Sequence, residues 1–133
     1  MLADGAHVQA GKLYVLGGAF DTINARSVPV THKVWTLVLV AEVEQGERQR
    51  DLPVRIALVD EDEGPPLLEA EARLRVGAPP TLRPGDVSVL PLAVPLPEIT
   101  FPAAKGYLFR IEHSGREVAR VPFRVAVPDS PPP

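Results

Sequence analysis

The chain has 133 residues, of which 45% are hydrophobic and 23% are charged, and its formal net charge at pH 7 is −3. One domain is the default for this length, and such a composition is typical of globular proteins. The absence of cysteine excludes disulfides, thiolate metal sites and cysteine nucleophiles, and it favours a reducing compartment. Lysine and arginine are scattered and often alternate with glutamate, so no basic stripe predicts nucleic-acid binding.

The ends of the chain carry no targeting or membrane-spanning pattern. The opening segment Met1–Gly5 lacks a cationic start and has an acid, Asp4, where a signal peptide would be apolar. The longest apolar stretch, Val34–Val43, is about half of the roughly 20 residues that span a bilayer. We therefore expect a cytoplasmic protein without membrane contact. It should consist of one domain over 1–127 and a short, proline-rich, disordered tail over 128–133, with a proline-rich docking segment as the alternative for the tail.

The first third of the chain predicts two short strands, a loop and a central strand. Ala6–Gln9 and Lys12–Leu16 flank a tight turn, and the Gly17-Gly18 pair that follows predicts a bulge or a flexible break. Phe20–Pro29 is predicted to be a loop. Val34–Val43 is rich in β-branched residues, which predicts a central strand buried on both faces over most of its length.

Three segments in the middle of the chain show a period of two, with large apolar residues on one face. Leu52–Asp60 has Pro53 near its start, and because proline lacks an N–H the strand should start at an edge or at a bulge. Leu68–Val76 contains helix-forming residues, so a helix is the alternative, but its period of two favours a strand. A loop over Gly77–Gly85 leads to Val87–Leu96, whose prolines fall on one face, as an edge strand allows.

The last third of the chain predicts a β-hairpin. Apolar residues alternate over Tyr107–Ile111 and again over Val121–Val127. The Ser114-Gly115 pair between them is typical of a tight hairpin turn. The segment therefore predicts a half-buried antiparallel ribbon.

The register of this hairpin requires one extra residue. Strict pairing from the turn would place Arg120 opposite Phe109 in the core. One extra residue near Ala119-Arg120 would restore Val121 opposite Phe109. The sequence therefore predicts a β-bulge at Ala119-Arg120.

These segments amount to about eight strands without a helix, separated by turn signals about every ten residues. Two packed antiparallel sheets are the arrangement that buries such strands. We expect an all-β fold, a two-sheet antiparallel β-sandwich that is immunoglobulin-like in general form.

The chain resembles an uncharacterised bacterial family, a domain of unknown function, at its opening LADGAHVQAGKLYVLGGAFDTI and at its closing pattern Y-x-F-x-I-x-x-x-G-x-x-V-x-x-V-P-F-x-V. The resemblance covers most of the chain and implies a short, single-domain, cytosolic bacterial β-protein. It implies no activity, ligand or catalytic residue. The positions that carry the opening pattern are Asp4, Gly5, Ala6, Val8, Gly11, Lys12, Leu13, Leu16, Gly17 and Asp21.

Two acidic features are candidate binding sites. The carboxylates of Asp60, Asp62 and Glu63 cluster in one turn and could chelate calcium, although their spacing matches no EF-hand loop and a solvated turn explains them as well. Asp21 follows a Gly-Gly-Ala-Phe segment and could orient a ligand. Hydrogen bonding from its side chain to the loop backbone is the favoured interpretation.

The sequence shows no catalytic or cofactor motif. His7, His32 and His113 are the only imidazoles, and their wide separation favours isolated histidines over a zinc site. Ser114 follows His113 on a tight turn, which is expected to point their side chains apart. Neither a phosphate-binding loop nor a nucleophile elbow is present, so we expect no cofactor and no enzyme.

The function that remains is a non-enzymatic module that acts through contacts with an unidentified protein partner or through self-association at sheet edges. The edge strands and the loop over Phe20–His32 are the surfaces expected to make these contacts. An ion or small-ligand binding module that uses the acidic turn Asp60–Glu63 is the first alternative. The second is an enzyme whose residues converge only in the fold, which would require Asp21, His32 and one further acid within hydrogen-bond reach in a pocket.

Overall fold

The computed structural model describes residues 1–47, 49–75, 83 and 85–128. The predicted loop at Gly77–Gly85 falls mostly outside these residues, and the predicted tail falls outside them after Pro128. No helix in the described part of the chain is long and apolar enough to cross a membrane. The described elements are β1 (Leu2–Gln9), β2 (Lys12–Phe20), β3 (Thr22–Asn24), β4 (Val30–His32), β5 (Trp35–Val43), a 3₁₀ turn (Gln45–Glu47), β6 (Leu52–Asp60), β7 (Leu68–Leu74), β8 (Ser88–Leu96), β9 (Ile99–Phe101), β10 (Gly106–His113) and β11 (Arg116–Ala126).

The strands form two main sheets and a small ribbon. Sheet A has the order β2-β1-β5-β8, sheet B has the order β3-β11-β10-β6-β7, and β4 pairs with β9. The ladders are antiparallel except for β3 with β11, which run parallel. The predicted all-β sandwich is confirmed. Eleven strands are described instead of the predicted eight, because β3, β4 and β9 have three residues each and are too short to show an alternation.

The strand order supports the predicted immunoglobulin-like form. Strands β1, β5 and β8 share sheet A, and β11, β10 and β6 share sheet B, as strands A, B, E and G, F, C do in that fold. Tyr107 lies near the start of β10, and its hydroxyl donates a hydrogen bond to the carbonyl oxygen of Ala103 at 2.8 Å. This is the geometry of a tyrosine corner. The immunoglobulin-like form stays a prediction, which these two features favour.

The core between the sheets is organised around Trp35 of β5. The centroid of its ring system lies 5.8 Å from that of Phe101, 5.4 Å from that of Phe109 and 5.8 Å from that of Phe123. Trp35 Nε1 donates to the carbonyl oxygen of Pro97 at 2.9 Å, so the buried indole N–H is satisfied. The aromatic cluster therefore joins both sheets to the β4–β9 ribbon.

Strand β5 is buried on both faces only in its first half. Trp35–Val38 are buried, whereas Val40 is 58% exposed and Glu42 is also exposed. The prediction of burial over most of the strand is therefore wrong for the second half. Strands β1 and β2 also approach β8 within sheet A.

The C-terminal hairpin has the predicted turn and core register. Ser114 has a φ of 53° and Gly115 has a φ of 75°, as a two-residue hairpin turn requires. Val121 lies opposite Phe109, as predicted. Val125 further along β11 is also buried, so the alternation correctly identified the core-facing residues.

The bulge in this hairpin lies at Val118. Ile111 pairs with Ala119 whereas Glu112 pairs with Glu117, which leaves Val118 as the extra residue. The predicted position at Ala119-Arg120 is therefore wrong by one residue. Either position restores the core register, and Val118, which is 61% exposed, is the residue that leaves the ladder.

The N-terminal hairpin is longer than predicted and contains the bulge expected near Gly17-Gly18. The register passes from Ala3 opposite Gly18 to Leu2 opposite Phe20, which leaves Ala19 as the extra residue. Gly17 has a φ of 59°. This backbone conformation favours glycine, and a Cβ atom at Gly17 would also require the Asp4 carboxylate to move.

The segment predicted as a loop over Phe20–Pro29 contains β3. Ile23 in β3 is buried, and Ala25 after it donates its N–H to the carbonyl oxygen of Ala126 at 2.9 Å. The loop prediction is wrong there because the pairing with β11 joins residues about one hundred positions apart. A propensity argument over neighbouring residues does not detect such a ladder.

The middle strands confirm the strand assignment of Leu68–Leu74 and correct the position of Pro53. Strand β7 pairs with β6 over its whole length, so the helix alternative is wrong. Strand β6 lies between β10 and β7 and is not an edge. The β6–β10 ladder ends at Arg55, two residues after Pro53, so this proline lies outside that ladder.

Candidate functional site

The histidines of the described residues do not converge. His7 stacks on Tyr14 of the N-terminal hairpin with ring centroids 4.9 Å apart, His32 lies beside Trp35, and His113 ends β10. No group of three His, Asp or Glu side chains in the described ranges could hold a metal ion. The structure thus offers the zinc alternative no set of ligands in this part of the chain.

The turn of the C-terminal hairpin brings Ser114 close to His113. Ser114 Oγ lies 3.3 Å from His113 Nε2, so the expectation that the two side chains point apart is wrong. His113 Nδ1 lies 2.8 Å from the carbonyl oxygen of Pro53, and because a carbonyl only accepts, Nδ1 carries the proton. In a Ser-His-acid triad the Nδ1 proton goes to a carboxylate, whereas here the Glu47 carboxylate lies 3.7 Å from Nε2. The contacts of His113 anchor the hairpin end to β6 and do not form a triad.

The acidic turn begins with a carboxylate that organises its own backbone. Asp60 Oδ1 accepts hydrogen bonds from the N–H groups of Asp62 at 2.9 Å and Gly64 at 3.0 Å. The Gly64 N–H is the main cause that lowers the pKa of Asp60, burial opposes this shift, and the Lys105 ammonium adds to it. Asp60 therefore acts as the internal acceptor of the turn.

Every carboxylate of the acidic turn has a cationic partner within 4 Å. Lys105 Nζ lies 3.2 Å from Asp60 Oδ2 and 2.9 Å from Asp62 Oδ2. Arg110 lies 3.6 Å from the Glu63 carboxylate, and Arg124 lies 3.9 Å from that of Glu61. A calcium ion would have to displace these cations before it could bind, so the pairing disfavours the calcium interpretation of the turn.

We expect Asp60→Asn to lower the Tm at neutral pH, because the amide still accepts the turn N–H groups but loses its charge interaction with Lys105. The pKa of Asp60 is lower in the folded chain than its ordinary value of 3.8. Its stabilisation is therefore complete above that ordinary value and is lost as the pH falls from it through the lower pKa of the folded chain. Circular dichroism melts from neutral pH to about pH 3 should show the largest wild-type advantage at the neutral end and a smaller one in acid.

Glu61→Gln is the matched control for this experiment. The Glu61 carboxylate is 48% exposed and lies 3.9 Å from its cationic partner, Arg124. We expect this variant to change the Tm less than Asp60→Asn does, because exposed ion pairs at this distance are weak. A Tm difference for Asp60→Asn that is constant across the pH range would contradict the role assigned to the carboxylate.

Asp21 lies apart from the acidic turn. Its Oδ1 accepts the Thr22 hydroxyl at 3.0 Å, and its carbonyl oxygen accepts the Arg124 N–H at 2.8 Å. These bonds hold the start of β3 against β11. Asp21 and Glu61 lie at the same end of sheet B, but three strand spacings of about 4.8 Å put them roughly 14 Å apart. The structure thus brings Asp60, Asp62 and Glu63 together and leaves Asp21 in a backbone-supporting position.

A small cleft of about 390 Å³ lies beside the bulge of β2. His32 contributes to it, and its Nε2 atom is buried without a hydrogen-bond partner in the described part of the chain. Burial lowers the pKa of His32, while the nearby Asp4 carboxylate opposes the shift. Asp21 does not line this cleft, so the Asp21–His32 pair required by the enzyme alternative is not formed there. The lining residues are Asp4, Gly17, Gly18, Phe20, Thr22, Ile23 and His32.

We expect acid to destabilise the fold in part through His32. Because its folded pKa lies below the ordinary value of 6.5, the neutral ring is favoured in the folded state. The stabilisation is present above that value and is lost as the pH falls below it. His32→Phe keeps a ring beside Trp35 without titrating, so its Tm should fall less between about pH 8 and pH 5 than that of the wild type. Parallel Tm curves for the two proteins would contradict this assignment.

A larger cavity of about 650 Å³ lies where the second half of β5 separates from sheet B. Its floor is apolar and includes Leu39, Val54 and Ile111. Its lining also includes Leu74 at the end of β7 and Leu92 of β8, which lie on either side of a connecting segment that is mostly outside the described residues. Because residues 76–82 connect these two sides outside the described part, the cavity carries no ligand assignment.

In the described part of the chain, three of the four edges of the main sheets carry features that hinder further pairing. Strand β3 has three residues, and β7 carries alternating charges at Glu69, Glu71 and Arg73. Strand β8 has prolines at 91 and 95. Short strands, charges and prolines are the usual means by which proteins prevent edge-to-edge association.

The prolines of β8 lie at positions whose N atoms face away from the sheet. Met1 and Val38 exchange two backbone hydrogen bonds, at 2.7 and 2.8 Å, so Val38 faces β1. Backbone groups alternate in direction along a strand, so Thr36 and Val40 face β1 as well. Pro95 and Pro91 lie opposite these two residues and therefore face outward. The edge prediction for this strand is confirmed, and the outer side of β8 lacks two of its donors.

Strand β2 lacks these protections over Lys12–Leu16, which we call the β2 edge. Gln9 and Lys12 close a two-residue turn, so Tyr14 faces β1 and the backbone groups of Leu13 and Val15 face outward. No strand lies on that side in the sheet order, and no hydrogen bond within the described ranges uses these outward groups. Tyr14 is 48% exposed and Leu16 is 76% exposed, so the β2 edge combines unpaired backbone groups with apolar side chains.

The model of the family of unknown function DUF6941 matches residues 1–126. The chain belongs to this family. The match agrees with the resemblance to a domain of unknown function and includes the whole of the β2 edge. No curated protein and no solved structure matches the chain.

Sequence reasoning predicted Lys12–Leu16 as a strand but did not identify it as the unprotected edge. The alternation of residues shows that a segment is a strand, but its position in a sheet depends on pairing with distant segments. One signal was available: this strand contains no proline and only one charge, Lys12, whereas Val87–Leu96, which the sequence predicts as an edge strand, carries prolines.

Proposed function

We propose that this member of the DUF6941 family is a non-enzymatic module that acts through protein–protein contacts at the β2 edge. The single observation that carries the proposal is the unpaired outer side of Leu13 and Val15. Such an edge accepts an additional strand from another chain, whose main chain supplies the hydrogen bonds and whose side chains supply the specificity.

The neighbouring side chains support this function. Tyr14 and Leu16 are exposed on the β2 edge, and aromatic residues are enriched in interfaces. The acidic turn, in contrast, has its carboxylates paired with Lys105, Arg110 and Arg124. The contrast favours strand addition at β2 over ion or small-ligand binding at Asp60–Glu63.

The proposal includes a bacterial, cytoplasmic setting. The lack of cysteine supports a reducing compartment, since a domain kept in such a compartment has no use for disulfides. Fractionation of the native host should recover the protein with the cytosolic fraction, and recovery with the membrane or the periplasm would contradict this part of the proposal.

Affinity capture from the lysate of the native host, with a matched pair of proline variants, tests the function. Val15→Pro removes an outward N–H from the β2 edge without breaking the β1–β2 ladder. Val89→Pro is the control, because its N atom faces outward like those of Pro91 and Pro95 on the protected β8 edge. We expect the captured partner to be lost with Val15→Pro and kept with Val89→Pro. Capture that is indifferent to Val15→Pro would overturn the proposed site.

A further inference from the structure

We propose that a second copy of this chain occupies the β2 edge, with the two β2 strands antiparallel about a twofold axis at Tyr14. This inference rests on the proposed function, since it uses the same edge. Two identical antiparallel strands form a self-complementary contact, which is the commonest form of symmetric association.

The outward backbone groups determine the register of this pair. In an antiparallel ladder, hydrogen-bonded pairs match residues whose N–H and C=O groups face each other. Leu13 of one copy opposite Val15 of the second copy, together with the reciprocal pair, uses all of the outward groups of both residues. Tyr14 then lies opposite Tyr14 of the second copy, in a non-hydrogen-bonded pair. A register centred on Leu13 would place Val15 opposite the turn residue Gly11 and lose part of the ladder.

The side chains of the β2 edge suit this register. Tyr14 is 48% exposed and already stacks on His7 with an interplanar angle of 8°. Two tyrosines at the axis would form a cross-strand aromatic pair, which is favourable in antiparallel sheets. Lys12 is the only charged residue of β2 and would lie opposite the exposed Leu16 of the second copy.

Like charges do not oppose this pairing. The two Lys12 side chains would be four residues apart along the ladder, which is roughly 13 Å at about 3.3 Å per residue. That separation exceeds the Debye length of about 8 Å at physiological salt, so their repulsion is screened. The register therefore has no charge conflict at its centre.

The arrangement of edges limits the assembly to two copies. Strands β3, β7 and β8 carry features that hinder pairing, and the remaining edge of the two main sheets within the described residues is consumed by the contact, so the pair does not extend into a filament. A five-residue strand pair buries less surface than the roughly 1,200–2,000 Å² of stable complexes. We therefore expect a weak dimer whose population rises from micromolar to millimolar protein.

Single cysteines test the register, because the natural chain contains none. Tyr14→Cys would place two thiols at the axis with Cα atoms about 4.5 Å apart, within the roughly 4.4–6.8 Å that a disulfide spans. Lys12→Cys and Leu16→Cys are the controls, since each would be far from its counterpart. With oxidised glutathione as the oxidant, we expect Tyr14→Cys to form a disulfide-linked dimer. We expect Lys12→Cys and Leu16→Cys to form none. Equal cross-linking of all three variants, or none from Tyr14→Cys, would overturn the proposed register.

Sedimentation velocity tests the dimer without a cysteine. We expect the wild type and Val89→Pro to associate with rising concentration, and Val15→Pro to stay monomeric. A wild type that stays monomeric at millimolar concentration would overturn the second copy as partner. If the wild type stayed monomeric but Val15→Pro abolished capture of a different protein, the proposed function would stand without the dimer. If the wild type stayed monomeric and Val15→Pro did not affect capture, both the dimer and the proposed function would be overturned.

Discussion

Phe109→Ala is expected to lower the free energy of unfolding by about 3–5 kcal/mol, because it removes a large side chain from a closed core. Phe109 is 0% exposed and packs against Trp35 and Phe123, with ring centroids 5.4 and 5.7 Å away. Neighbouring side chains in a packed core relax only partly into such a space, so a cavity should remain. Urea unfolding followed by tryptophan fluorescence and far-UV circular dichroism should show a lower midpoint.

Phe109→Leu is the control for the chemical change at this site. It keeps an apolar side chain but loses the aromatic contacts, so its cost should lie clearly below that of Phe109→Ala. If Phe109→Ala cost less than about 1 kcal/mol, the assignment of Phe109 to the centre of the core would be wrong.

Leu37→Ala is expected to cost about 2–5 kcal/mol in the free energy of unfolding. Leu37 is 0% exposed and lies on the central strand β5, opposite Val94 of β8 and Leu2 of β1. Its side chain is therefore buried at a position that has a strand on either side. The measurement is the same denaturant titration, performed at dilute protein so that association makes no contribution.

The same substitution at Leu16 provides the comparison. Leu16→Ala also removes three carbon atoms from a strand of sheet A, but this side chain is 76% exposed. We expect a change within about 0.5 kcal/mol, as for other surface positions. Equal costs at the two leucines would contradict the assignment of the inner and outer faces of sheet A.

The long strands were predictable because each contains enough residues to display its period. In Leu52–Asp60, every second residue from Leu52 to Leu58 is buried in the structure. The short strand Thr22–Asn24 contains only one buried side chain, Ile23, and is defined by its ladder with β11. No local pattern in the sequence distinguishes three such residues from a loop.

The C-terminal hairpin shows how far register reasoning extends. The need for one extra residue follows from the sequence, since Phe109 must face another apolar side chain. The choice between Val118 and Ala119-Arg120 does not, because both satisfy that requirement. Which of these residues forms the bulge depends on the local backbone geometry and on side-chain exposure in the folded chain.

The acidic turn and the β2 edge show the corresponding limits for function. The carboxylates of Asp60–Glu63 are visible in the sequence, but Lys105 approaches Asp60 and Asp62 only because β10 pairs with β6. In the same way, Lys12–Leu16 is a visible strand whose role as an unprotected edge follows from the order of sheet A. In both cases the property that bears on function depends on contacts between distant segments.

Backbone hydrogen exchange at the β2 edge tests the central claim most directly. In a ¹⁵N-labelled sample, the amides of Leu13 and Val15 should exchange rapidly when the protein is dilute, because their N–H groups face outward. Their exchange should slow as the concentration rises and a second strand covers them, while the Tyr14 amide, which faces β1, should stay protected throughout. Slow exchange of the Leu13 and Val15 amides in dilute protein would contradict the assignment of β2 as the contact edge. Rapid exchange of these amides at every protein concentration and with every captured partner would contradict it as well.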